Sequence, residues 1–271
     1  MLKNILQKLK YRSHKPILKN QEIGWASYCE TWEEAKLKSS GYDDCEILKR
    51  CKESALSVKN GDYAYERDSV LFDKIQYSWP LLSSLLHVSS ATSNKLALID
   101  FGGSFGSSYY QNRHFLQHID LSWLVVEQKN FVESGRKFFE DDKLKFYYDF
   151  SSALNSHHKP NCILLSSVLQ YLENPEILID EIIGSQIEFI IIDRTGFTGR
   201  NKDLVTVQTV PPEIYNASYP CWFFNESAFL DRFMDKYKVV AEFNDSFTPP
   251  VYLASDYCYW KGFFLEKITN A

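Results

Sequence analysis

Asp100 ends an apolar run and is followed by Gly102, Gly103 and Gly106 in the stretch KLALIDFGGSFGSSYYQ. Glycines placed after a strand let the backbone approach a ligand closely and adopt positive φ. Ligands of open α/β sheets occupy the crevice beyond the carboxyl ends of the parallel strands. The helix expected from about Phe105 to Gln117 points its positive end at that crevice. A dinucleotide fingerprint, G-x-G-x-x-G, would need its first glycine at the position of Phe101, so it fails. A carboxylate just before the loop repels a pyrophosphate and suits a ligand bearing an ammonium or sulfonium charge.

S-adenosylmethionine carries both charges and has no phosphate, and further strand ends supply what its other parts need. Glu127, with Gln128 beside it, closes WLVVEQ at 21 residues beyond Gly106, where an acid accepts hydrogen bonds from a ribose diol. Asp149 closes KFYYDF, in place to meet an adenine amino group. Ser166 to Tyr171, in LLSSVLQYLENPEILIDEI, line the crevice floor. The candidate cofactor-binding residues are therefore Asp100, Gly102, Gly103, Ser104, Gly106, Glu127, Gln128, Asp149 and Ser166. Each has a plainer reading, Asp100 as a turn cap and Glu127 or Asp149 as a solvated acid; their order along consecutive strand ends favours the ligand.

Methyl transfer from a sulfonium is an in-line displacement, which rests mainly on placing the acceptor. A hydroxyl acceptor also needs a base. DRTGF follows the fifth apolar run, so Asp193 is the candidate base, with His114 on the first helix as a second. Arg194 is the candidate anchor for a phosphate or carboxylate, with Thr195 beside it. Tyr171, Tyr219 and Trp222 are candidates for contact with a sugar, and Tyr215 lies in the same aromatic segment. The competing readings are an internal Asp193–Arg194 pair, a packed or solvated His114, and aromatics buried against neighbouring helices. Tyr65, Glu66 and Arg67 are placed in a lid over the crevice.

The elements that must position these residues are legible in the periodicity. The first 95 residues read as helical: Thr31-Trp-Glu-Glu34 has capping-box form, Asp44 to Lys59 has one apolar face, and a helical pattern runs from about Asp68 to Leu86 with a break at Trp79-Pro80. Short apolar runs then recur at Leu96–Ile99, Trp123–Val126, Leu144–Tyr148, Cys162–Leu165 and Phe189–Ile192. Such runs separated by helical lengths indicate a parallel sheet covered on both faces. Lys238–Phe243 and Tyr257–Glu266, joined by NDSFTPPVYLASD, read as an antiparallel pair. The fold class is α/β, a doubly wound Rossmann-like sheet of five parallel strands plus a C-terminal antiparallel pair, with an N-terminal helical cap. Residues 1–22 form a basic N-terminal segment, 23–95 the cap and 96–271 the main domain.

The chain of 271 residues has a formal net charge of −5, which argues against a general nucleic-acid binder. Basic residues concentrate in positions 1–21, where Leu2, Ile5, Leu6 and Leu9 fall at helical spacing; this segment is either a solvated terminus or a peripheral membrane contact. No apolar segment has the length of a membrane span or the form of a signal peptide, so a cytoplasmic location is expected. The six cysteines are scattered and no His or Cys cluster has metal spacing, so no metal and no disulfide framework are expected.

With these residues assembled, the chain resembles class I S-adenosylmethionine-dependent methyltransferases. More narrowly, from Trp25 to Glu266 it resembles a methyltransferase family associated with bacterial surface-polysaccharide (O-antigen or capsule) biosynthesis. That resemblance rests on SSGYDD, YERDS, IDFGGSFGSSYYQ, VVEQ, LLSSVLQYL, IIIDRTGF and VQTVPPEIYNASYPCWFF. It implies a seven-stranded doubly wound sheet, adenosylmethionine as methyl donor and a small-molecule or glycan-precursor acceptor. Two positions depart from the commonest pattern: Ser104 stands in the second-glycine place, and Asn161 stands where many such enzymes begin the fourth strand with aspartate. The expected activity is O-methylation of a sugar, sugar nucleotide or similar precursor. The alternatives are an NAD(P)-dependent oxidoreductase of sugar metabolism and a non-catalytic Rossmann-like binding module.

Overall fold

In the computed structural model, the described residues are 24–25, 28–40, 44–212, 214 and 216–269, with Asp44 and Cys45 described by backbone alone. The basic segment 1–22 and Tyr215 lie outside them. After a short strand β1 (Gly24–Trp25) comes α1 (Trp32–Lys38), opened by the expected cap: Thr31 accepts the amide of Glu34 at 3.1 Å, while Glu34 accepts from Glu30. Helix α2 (Asp44–Asn60) ends at Gly61.

The helical reading of 68–78 fails. Tyr65 to Phe72 form a hairpin of β2 (Tyr65–Arg67) and β3 (Val70–Phe72) around Asp68 and Ser69, whose φ values of 52° and 67° are those of a type I′ turn. Of the two outcomes expected at Trp79-Pro80, a kink or a new first turn, the second holds: these residues open α3 (Trp79–Ala91), since proline at a helix start forfeits no hydrogen bond.

The five apolar runs become β4 (Lys95–Phe101), β5 (Asp120–Val126), β6 (Leu144–Tyr147), β7 (Cys162–Ser166) and β8 (Phe189–Thr198). Between them lie α4 (Ser107–Asn112), shorter than expected, α5 (Lys129–Phe138), α6 (Phe150–Leu154) and α7 (Pro175–Ser185). Asn161 donates to the carbonyl of Lys95 at 3.1 Å and accepts the amide of Ala97 at 3.0 Å, so the residue replacing the common aspartate stitches β7 to β4.

Beyond β8 the chain departs from expectation. Leu204–Thr209 forms β9, and Ser218–Asn225, from the aromatic segment that holds Tyr219 and Trp222, forms β10; the two are an antiparallel pair, followed by α8 (Glu226–Asp231). β10 runs parallel to the far end of β8, and β1 adds to β9. The C-terminal pair is as expected: β11 (Tyr237–Asn244) lies antiparallel to β13 (Asp256–Lys267), with a short β12 (Val251–Leu253) in the connection. β13 is antiparallel to β8, so β11 runs with the parallel strands.

The main path β6-β5-β4-β7-β8-β13-β11 holds the seven expected strands, and β10, β9, β1 and β12 bring the sheet to eleven. Alternate residues feed two cores. Leu98, Trp123, Val125 and Leu164 face α3, α4 and α5, whereas Ile99, Leu124, Ile163 and Ile190 face α6, α7 and α8. That two-sided burial explains why the strands read as continuous apolar runs. No helix among the described residues is long and apolar enough to cross a membrane.

Candidate functional site

A cleft of about 820 Å³ opens over the carboxyl ends of β4, β5, β6 and β7, beside Arg194 in the middle of β8, with the β2–β3 hairpin as its opposite wall. The loop after β4 supplies the floor. Gly102 takes φ 73° and donates to the carbonyl of Val126 at 2.9 Å. A Cβ at Gly102 would lie 2.6 Å from Cγ2 of Val168, so glycine is required by a protein neighbour as well as by φ. At Gly103 a Cβ would lie 2.5 Å from the carboxyl carbon of Asp100, so the loop folds directly over that acid.

Asp100 is 1% exposed and accepts a 2.8 Å hydrogen bond from Nε1 of Trp123. Burial pushes its carboxyl up to about 7, against the pull of Trp123 and with a further push from the Glu127 charge. Glu127 accepts the amides of Gln128 at 2.8 Å and Ser104 at 3.2 Å, which ties the end of β5 to the glycine loop. Burial raises its pKa, opposed by those two amides. Asp100, Gly102, Gly103, Ser104, Glu127 and Gln128 all line the cleft, as do Asp149 and Ser166. Gly106 does not; with φ 87° it starts α4 beneath the loop. Asp149 spends its carboxylate as the cap of α6, accepting from the amide and hydroxyl of Ser152, and these bonds lower its pKa.

The acceptor candidates separate. β8 runs on through Asp193, Arg194 and Thr195 instead of ending before them. Asp193 is 3% exposed and lies behind Ser166, whose hydroxyl donates to it at 2.9 Å. Burial raises its pKa, opposed by Arg194 and Ser166. Thr195 is fully buried and bonds back to the Asp193 carbonyl. Neither side chain lines the cleft, which corrects the assignment of Asp193 as a base in direct reach of an acceptor.

Arg194 does line the cleft, at φ 49°, with Asp68 at 3.8 Å and Asp193 at 3.9 Å. Burial alone would lower its pKa; those two acids hold the guanidinium charged beyond its ordinary range. Tyr171 lines the cleft and donates to Gln208 at 2.8 Å, with Tyr219 behind it, edge-on at 5.1 Å. Trp222 is not at the cleft: it stacks on Trp32 at 5.3 Å and donates to the carbonyl of Leu172, because β10 carries it into a separate cluster. His114 lines a different cavity of about 370 Å³ with Tyr109, Arg113 and Lys143, because the early end of α4 turns the chain away from the glycine loop.

The residues placed in a lid, Tyr65, Glu66 and Arg67, reach the cleft on a hairpin, a form that the helical reading from Asp68 onward did not give. Glu66, 6% exposed, accepts from the hydroxyl of Ser107 and from the amide of Ser69 at 3.2 Å. Burial pushes its carboxyl up to about 7, with Ser107 opposing and Asp68 adding to the rise. Tyr65, Arg67, Asp68 and Ser69 line the same wall. The available signal was two β-prone trios, Tyr-Glu-Arg and Val-Leu-Phe, around a polar two-residue turn. Among the described residues no group of His, Cys, Asp or Glu is arranged to hold a metal ion, and the five described cysteines are free.

No protein-family model and no curated protein matches the chain. Many solved structures are similar to it, three of which follow. One is the N-terminal domain of EvdMO1, crystallised with S-adenosylhomocysteine and D-fucose, at 12% identity and a TM-score of 0.48, covering 84% of this chain and 98% of that one. Another is a 1,6-didemethyltoxoflavin-N1-methyltransferase of Burkholderia thailandensis, with 1,6-didemethyltoxoflavin and S-adenosylhomocysteine bound, at 10% identity and a TM-score of 0.42, covering 94% and 100%. The third is the N-methyltransferase NodS of Bradyrhizobium japonicum with S-adenosylhomocysteine, at 10% identity and a TM-score of 0.43, covering 79% and 98%.

Proposed function

We propose that this protein is an S-adenosylmethionine-dependent methyltransferase acting on a small acceptor, and more narrowly that it O-methylates a sugar or sugar nucleotide destined for a bacterial surface polysaccharide. The observation that carries the reading is the pairing of buried Asp100 with half-buried Glu127, two acids at adjoining strand ends, on either side of a glycine turn that Glu127 itself binds. Such a floor opposes a pyrophosphate and suits a cationic ligand with a ribose diol. The donor set fits adenosylmethionine: Glu127 for the ribose, the Gly102–Ser104 backbone for close approach, and Asp100 as a nearby negative charge. The polysaccharide assignment is supported by the motif series from Trp25 to Glu266.

When bound, adenosylmethionine supplies a methyl group on a positively charged sulfur. The protein's share is positioning and proton removal. Glu66 is the proposed base: it faces the cleft, the Ser107 hydroxyl and Ser69 amide orient it, and its carboxyl titrates near neutrality. Asp193 orients the Ser166 hydroxyl from below the floor. Arg194 is proposed to grip a phosphate or carboxylate of the acceptor, while Tyr171 offers a ring face.

Isothermal titration with adenosylhomocysteine and with NAD tests the donor class: micromolar binding of the former and none of the latter is expected, and the reverse sinks the proposal. A methyl-transfer assay then compares nucleotide-linked or phosphorylated sugars with neutral sugars. Preference for the charged compounds is expected, and equal activity on neutral ones removes the Arg194 role.

A further inference from the structure

Among the described residues two arginines line the cleft, and their surroundings differ. Arg194 has Asp68 and Asp193 within 4 Å. Arg67 makes no ion pair among the described residues, and its Nη1 is shut off from water without a hydrogen-bond partner. Its guanidinium is held by rings instead, its central carbon 4.4 Å from the centroid of Phe247 and 5.4 Å from that of Phe72. Stacking of this kind occupies the faces of a guanidinium and leaves its N–H fork free at the edge. A donor left unmatched inside a protein is unfavourable, and a charged one more so. The acids nearby do not meet the need: Glu66 is engaged by Ser107 and Ser69, and Asp68 leans to Arg194. The turn that sets Arg67 in place has two non-glycine residues at positive φ, a conformation that persists only where the surroundings impose it.

We infer that Arg67 is the counter-charge for an anionic group, a carboxylate or a phosphate, on a ligand of this cleft. Two ligands could bring that group: the donor, through the carboxylate of its amino-acid end, or the acceptor, through a phosphate. The first source rests on the adenosylmethionine reading; the second does not.

The test uses the full chain and two variants. Arg67→Met keeps an apolar stem between the two rings and removes the charge; Arg67→Lys keeps the charge and removes the fork. Each is titrated calorimetrically with adenosylhomocysteine, with its decarboxylated analogue, and with inorganic pyrophosphate. A loss of at least tenfold on adenosylhomocysteine, with affinity for the decarboxylated analogue unchanged, assigns the donor carboxylate. A similar loss on pyrophosphate alone assigns an acceptor phosphate. Equal affinities of wild type and folded Arg67→Met for all three ligands overturn the inference, and so does an equal loss on both nucleosides, which marks a packing role. If Arg67→Met does not fold, Arg67→Lys decides by the same comparison, with a smaller loss confined to the anionic ligands. A wild-type protein that binds neither nucleoside sinks the methyltransferase proposal by itself, and Arg67 is then judged on pyrophosphate alone.

Discussion

The indole of Trp123 donates a 2.8 Å hydrogen bond to Oδ2 of Asp100, beneath a glycine turn that closes over the same carboxyl. Two neighbouring parallel strands thus share one polar contact inside an apolar sheet. Removing one partner leaves a buried acid less satisfied, and a hydrogen bond to a charged group is worth roughly 1.5–3 kcal/mol.

Trp123→Phe should therefore raise the Asp100 pKa above its value of about 7. A cationic ligand prefers the ionised acid. Adenosylmethionine should bind the variant about tenfold more weakly at pH 7 and recover much of that loss at pH 8.5. Titration calorimetry at the two pH values checks this; a pH-independent loss would point to packing.

Gly102→Ala should destabilise the fold, with roughly 1–2 kcal/mol from positive φ and a comparable amount from overpacking against Val168. Adding Val168→Ala should return the packing part and leave the φ part. Urea denaturation of the two single variants and the double variant separates them, and strict additivity would remove Val168 from the explanation.

Glu66→Gln should lower turnover by about 10²–10⁴-fold while the donor still binds, the usual contribution of a placed base. Wild-type turnover should rise with pH through about 7 as the carboxylate forms. The same group shapes stability with the opposite slope. Its folded pKa lies above its unfolded value, so its stabilising contribution is complete below about 4.5 and is lost as pH rises through 7. The glutamine variant should lack that decline, which amounts to roughly 3 kcal/mol between pH 4.5 and pH 8; a decline of equal size in the variant would assign it to other groups, Asp100 first.

Trp222→Ala should lower stability by about 3 kcal/mol, because the ring stacks on Trp32 and its Nε1 holds the Leu172 carbonyl. Acceptor KM should stay within twofold of wild type in a methyl-transfer assay. A large rise in KM with unchanged stability would restore the sugar-stacking role.

Much of the cleft floor was legible in the sequence because its signals are local. Strand runs buried on both faces show as unbroken apolar segments, and the acid and glycines that end them are adjacent in the chain; Asp100, Gly102, Glu127 and Ser166 accordingly meet at one cleft. The capping of α1 and the pairing of β11 with β13 were legible for the same reason.

The rest of the cleft depends on contacts between residues far apart in sequence. Whether β8 stops before Asp193 or continues past it is decided by its partners β13 and β10, and continuation buries Asp193 and Thr195 while leaving Arg194 at the cleft. The end of α4 carries His114 to another cavity, and strand pairing takes Trp222 into a separate cluster. Conversely, Glu66 and Arg67 reach the cleft because a strained hairpin is clamped by Ser107, Arg194 and Phe247. A helical period and a short hairpin compete for the same few residues, and only these long-range contacts settle between them. The sequence by itself determined the strand ends that form the cleft floor; tertiary packing alone decided which charged groups stand across from it, because burial and pairing of a charge are properties of its neighbours in space.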